Sequence, residues 1–166
     1  MKQALILCAL GVLPVIAVAE SREDWRTSGP WQIIVDPAVG RGCLMETVMA
    51  DGTKVRVGVL PQEDGGYIAA LNRDWTGIEP NKSGIARFDF GRDLFEGETR
   101  SVIEGDWRGG SAFFNNPEFL ENFEQGRALT IAGSGGIQFE ISLTGTRRAV
   151  AEVLKCQEEQ DRQVAE

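Results

Sequence analysis

The chain has 166 residues, of which 25 are acidic, 17 are basic and none is histidine, giving a formal charge of −8. A field of that sign repels nucleic acid and anionic lipid surfaces and favours a basic partner. Without histidine there is no Ser-His-Asp or Cys-His hydrolase triad and no histidine-based zinc site, so any catalysis would fall to carboxylates, Lys, Tyr or Ser.

The N-terminus reads as a secretory signal. Lys2 is the only charge before Glu20, and an apolar run from Ala4 to Leu13 leads through Pro14-Val15-Ile16 to the small-x-small sequence Ala17-Val18-Ala19. A short positive end, an apolar core and an A-x-A site predict cleavage after Ala19. The run is shorter than the ~20 residues a membrane-spanning helix needs, and Gly11 and Pro14 interrupt it. Cys8 departs with the signal, because Leu7 stands where a lipoprotein site requires a small residue. A compact signal with one lysine points to bacterial export, into the periplasm or the medium. Residues 20–166 are then expected to form a single β-rich globular domain with no further membrane segment.

Short β-like runs separated by turn residues follow. Trp31 to Asp36 is the first, ended by Pro37 and Gly40. Cys43–Met49 and Lys54–Leu60 flank Asp51-Gly52, a strong hairpin signal. In the second arm Val55, Val57 and Val59 face one way, while Lys54 and Arg56 face the other, as in a half-buried strand. Tyr67–Leu71, Ile85–Phe90, Glu98–Ile103 and Trp107–Phe114 are further strands, and Arg127–Ala132 pairs with Ile137–Leu143 around Gly133-Ser134-Gly135-Gly136.

Two helices interrupt the pattern. Asn116 as N-cap, Pro117 at the first helical position and Gly126 as terminator delimit one. The other starts near Thr144 or Thr146 and carries Ala149, Val150, Val153, Leu154 and Cys156 on one face, with a solvated tail from Glu158 onward. Cys43 and Cys156 are the two cysteines left after processing, and in an oxidising compartment they are expected to pair. Closing a loop of roughly 110 residues contributes at most just under ~5 kcal/mol on the chain-entropy account. The architecture is therefore mainly β (α+β): an antiparallel β-sandwich or partly closed barrel with one inserted helix and a C-terminal helix.

The hairpin Leu129-Thr130-Ile131 to Ile141-Ser142-Leu143-Thr144-Gly145, running into a helix at Arg147-Arg148-Ala149, resembles the C-terminal end of invasion-associated locus B proteins. Those are small exported β-rich proteins of alphaproteobacteria, linked to host-cell invasion and without a known catalytic activity. The resemblance implies an exported, β-rich, non-enzymatic protein, and no functional residue is carried over from it.

Residues that could carry chemistry are few. Asp89, Asp93, Glu96, Glu98, Glu104 and Asp106 could supply an acid–base pair for glycoside hydrolysis. Glu96 and Glu98 are assigned to the Gly-rich connection from Gly91 to Gly97, where solvated charges are ordinary. Asp89, Asp93 and Glu96 do not have calcium-loop spacing, and Gly105 to Ser111 lacks the Gly-Lys-Ser/Thr of a phosphate loop. Neither a metal nor a cofactor is expected. Asn81-Lys82-Ser83 matches a glycosylation sequon, which bacterial origin makes irrelevant. Arg73, Asp74, Trp75, Trp107 and Arg108 are candidate partner-binding residues, since Trp and Arg dominate binding hot spots. The alternative for both tryptophans is packing in the core or at its rim.

The expected function is non-catalytic binding of a macromolecular partner in the envelope or outside the cell. An inhibitor or immunity protein for a basic enzyme is its sharper form. The alternatives are a carboxylate-dependent hydrolase of envelope glycans and a carrier of a small apolar ligand, which would require an internal cavity.

Overall fold

The computed structural model describes residues 21–61 and 63–164, so the expected signal sequence lies outside the described residues. Strands β1 (Glu23–Ser28), β2 (Trp31–Asp36), β3 (Gly42–Val48), β4 (Lys54–Val59) and β5 (Gly66–Asn72) are successive neighbours. The chain then crosses to β6 (Ser83–Asp89) and returns through β7 (Leu94–Glu104) to β8 (Trp107–Phe114), which pairs with β5. Helix α1 (Pro117–Gln125) follows, the hairpin of β9 (Ala128–Gly133) and β10 (Gln138–Ser142) joins the far side of β6, and helix α2 (Thr146–Val164) comes last. The ten strands of the described residues form one antiparallel sheet, ordered β1-β2-β3-β4-β5-β8-β7-β6-β9-β10, which does not close. The expected β-rich architecture with an inserted and a C-terminal helix is thus borne out. Among the described residues no helix is long and apolar enough to cross a membrane.

Local chemistry explains the elements. At the β3–β4 turn Asp51 accepts hydrogen bonds from both the amide and the hydroxyl of Thr53, while Gly52 adopts φ 81°. Asn116 caps α1 by accepting from the Glu118 amide at 2.9 Å, with Pro117 in the first turn, as its sequence signature requires. The buried side of α1 drives Phe119 into a ring cluster, with Phe90, Phe95, Phe88 and Phe114 at centroid distances of 5.3, 5.5, 5.5 and 4.7 Å. Helix α2 lays Ala149, Val150, Val153 and Cys156 on the sheet. Cys156 is disulfide-bonded to Cys43 of β3, with Cα atoms 6.0 Å apart. Beside it the Gln157 side chain accepts from the Cys43 amide at 2.9 Å.

Three expectations need correction. Strand β1 was not expected, because Glu23-Asp24-Trp25-Arg26-Thr27-Ser28 has no apolar alternation. It is an edge strand with an irregular register around Trp25, and α2 holds it through polar contacts: Trp25 donates to Glu159 at 3.0 Å, and Arg26 pairs with Glu152 at 3.2 Å. Strand β7 begins at Leu94, well before the expected Glu98, so Glu96 and Glu98 are strand residues. The turn is confined to Phe90–Asp93, closed by the Phe90 amide on the Asp93 carbonyl at 3.0 Å. Gly97 had suggested a loop, but it sits opposite Ala86 in the ladder, where a Cβ would lie 3.7 Å from the Phe88 ring. Finally, Glu158 onward is helix rather than tail. Gln160 is buried there and accepts from Arg41 at 2.9 Å.

The bond between α2 and β3 closes a long loop, so replacing Cys43 and Cys156 together by alanine is expected to cost about 2–5 kcal/mol of unfolding free energy. Urea denaturation of the two proteins measures it. An unchanged midpoint would mean that packing alone docks α2.

Candidate functional site

Helices α1 and α2 cover only part of the concave face. Beyond them the inward positions of the central strands carry small side chains, in rows set by the register. Ala70, Gly110 and Ser101 form one row, and Ala112, Thr99 and Gly84 another. With neither α1 nor α2 above these residues, a cleft of about 310 Å³ remains, at the small end of the ~300–1,000 Å³ of ligand sites. Gly110 keeps its floor low. A Cβ there would meet only ordinary contacts, 3.4 Å from the Arg100 carbonyl and 4.0 Å from Thr99, so a larger side chain would rise into the cleft. Trp75 and Phe139 wall one side, their rings 5.3 Å apart and tilted by 46°. Ile78 and Ile137 extend the apolar wall, and the Thr99 and Ser101 hydroxyl-bearing residues supply polarity. An exposed Lys82–Glu79 pair at 3.2 Å lies on the rim.

The convex face is closed in another way. Ile34, Leu44 and Leu71 point to this side and are buried, and Arg56 beside them is only 3% exposed, so β4 is buried on both faces rather than half-buried as expected. Charged side chains form the cover. Arg56 bonds Glu46 across the β3–β4 ladder and Glu104 at 2.7 Å, while Arg22 reaches Asp36 at 2.6 Å and the same Glu104 at 3.2 Å. Burial works against the Glu104 charge, but the hydrogen bonds and positive charges of Arg56 and Arg22 outweigh it and hold its carboxyl down to about 2. Burial, followed by the Asp36 charge, pushes the Tyr67 phenol up to about 12. Lys54 is lowered, first by desolvation and partly by neighbouring Arg56.

The five candidate binding residues do not form one patch. Trp75 lines the concave cleft. Trp107 lies on the convex side, with Lys54 Nζ 4.1 Å and the Arg73 guanidinium 4.6 Å from its ring centroid. Arg108 donates to the Asp106 carbonyl within its own turn, and the Asp74 amide donates to Asn72, leaving the Asp74 carboxylate exposed. The cleft floor and the Arg56–Glu104 contact were missed by sequence reasoning. Signals for both existed: Gly109-Gly110-Ser111-Ala112 places small residues inside a strand, and an arginine stands between valines at Val55-Arg56-Val57.

No protein-family model matches the chain, and no curated protein matches its sequence. Among solved structures it is similar to the crystal structure of invasion associated protein B from Bartonella henselae. The match has a TM-score of 0.58 and 18% identity, and covers 84% of this chain and 99% of that one. The likeness is one of fold. The resemblance read in the C-terminal hairpin and helix therefore extends, as a fold, over most of the chain.

Because the folded-state titration of Glu104 lies below the ordinary value near 4.5, its contribution to stability is complete above that value and lost as pH falls toward about 2. Urea midpoints across that window should fall more steeply for the parent than for Glu104→Gln. Parallel curves would mean that the ion pairs contribute nothing. Tyr67 is the single tyrosine and shifts in the opposite sense. Its phenolate absorbance should rise near 12, and the stability it contributes should be lost as pH climbs from 10 to about 12. A phenolate signal at 10 in the folded protein would show Tyr67 to be solvated.

Proposed function

We propose that this chain is an exported, non-catalytic binding protein of a bacterial envelope, and that it holds its ligand by an apolar group inserted in the cleft beside Trp75. The cleft carries this reading. Its floor is built from side chains too small to fill it, and its walls are apolar and aromatic, which is the usual make-up of a ligand site. The Cys43–Cys156 disulfide supports export, since such bonds persist in oxidising compartments. The fold shared with a Bartonella henselae protein of invasion-associated name supports the bacterial envelope as the setting.

The carboxylates support binding over hydrolysis. Glu104 is held ionised by two arginines and has no proton to donate near neutral pH, and Glu96 is engaged by Arg87 on the outer face of the sheet. A general acid would need the opposite environment, one that raises its carboxyl.

The test uses the chain from residue 20 and phenylnaphthylamine, a neutral apolar fluorophore. Binding is expected to enhance the dye's emission and to quench tryptophan. Trp75→Ala and Gly110→Val should each weaken binding about tenfold, a change of ~1.4 kcal/mol. Urea midpoints report whether each variant keeps its fold. Equal affinity in both folded variants would remove the cleft as the site.

A further inference from the structure

A second concavity lies on the other side of the helices, lined by Met45, Val57, Val59, Phe114, Leu120 and Leu154, with a volume of about 300 Å³. We propose that this groove receives a lysine- or arginine-bearing extended segment of a basic protein partner, the aliphatic stem lying along the apolar wall and the cation meeting Asp64.

Three observations lead to that occupant. First, the groove is apolar yet open. Leu154 remains 45% exposed on the outer side of α2 while the neighbouring Val150 and Val153 are buried, so the surface offers hydrophobic area to a partner. Second, Asp64 is the one charged side chain in the lining, and among the described residues it forms no ion pair. Its position is built in. Gly65 has φ 148° and packs so closely on the Phe114 carbonyl and the Phe113 ring that no Cβ fits, which fixes the β4–β5 loop against the end of β8. Third, the surrounding charge is complementary to a cation. Glu63 adjoins Asp64, and the whole chain carries −8.

The nearby cations do not cancel this. Lys155 is held by Glu152 at 2.9 Å. Arg147 belongs to the first turn of α2, which the Thr146 hydroxyl ties to the Phe123 carbonyl at the C-terminal half of α1. Asp64 instead borders Asn115 and Pro117, where α1 begins. A purely apolar occupant would strip water from Asp64 without replacing its partner, and an acidic one would be repelled. Lysine and arginine satisfy both requirements, because their methylene stems pack on apolar surface while the charge stays at the edge. The groove is separate from the Trp75 cleft, so the two proposals succeed or fail independently.

The probe is a blocked Leu-Lys-Leu-Lys-Leu peptide, titrated into the isotope-labelled chain from residue 20 and followed by amide chemical shifts. Shifts are expected at Asp64, Gly65, Leu120 and Leu154, with affinity falling as salt is added. Asp64→Asn should weaken binding about fivefold, the worth of an exposed ion pair at the upper end of its range. Leu154→Glu should also weaken it, whereas Trp75→Ala should leave it unchanged. The proposal is overturned if the peptide causes no shifts at millimolar concentration, or if the shifts fall elsewhere. It is equally overturned if a norleucine-for-lysine peptide binds as tightly, or if Asp64→Asn binds as the parent does.

Discussion

Ten strands in one open sheet expose two faces, and two helices can cover only part of one of them. The rest of the structure follows from how the remaining area is handled. Helix α2 and Phe119 of α1 close the concave face over β2, β3, β4 and the ring cluster, and the disulfide ties α2 down where it crosses β3. Past the end of the helices the face is left to glycine and alanine, whose small side chains leave a cleft rather than a packed layer. The same geometry that leaves α2 on one side of the sheet also leaves Leu154 and Leu120 bordering a groove.

Among the described residues no helix covers the convex side, and it is closed by charge. Arg56 crosses a face that also holds Leu44 and Leu71, and its guanidinium is matched by Glu46 and Glu104. A buried ion pair of this kind is a weak source of net stability, because desolvation offsets most of the attraction, yet removing one partner leaves a costly unpaired charge. Its evident structural consequence is registration. Glu104 at the end of β7, Arg56 in β4 and Arg22 ahead of β1 come from distant parts of the sheet and meet at one carboxylate. The twist of the sheet is thereby fastened across strands that share no ladder.

A shared fold across 84% of the chain with 18% identity means that the layout of strands and helices persists while most side chains differ. Function resides in side chains grafted on a fold rather than in the fold itself. The cleft and the groove are therefore argued from Gly110, Trp75, Asp64 and Leu154 of this chain.

Much of the fold was legible in the amino-acid order, because it is governed by local chemistry. Asp51-Gly52 specified its hairpin, Asn116-Pro117 and Gly126 delimited α1, and the apolar spacing of α2 pointed Cys156 toward the sheet. Strand β1 and the start of β7 were not legible: one is held by contacts with α2, and the other runs through a glycine that reads as a loop until its pairing with β6 is known. The candidate site was less legible still. Trp75 and Trp107 look alike in sequence, but strand parity and the path of the chain after β5 send them to opposite faces of the sheet. Composition and order alone determined an acidic, histidine-free chain of short strands, two capped or amphipathic helices and a pairable cysteine couple. Only tertiary structure decided which small residues line a cavity and which charges are buried. Both depend on what the sheet brings together from positions far apart in the chain.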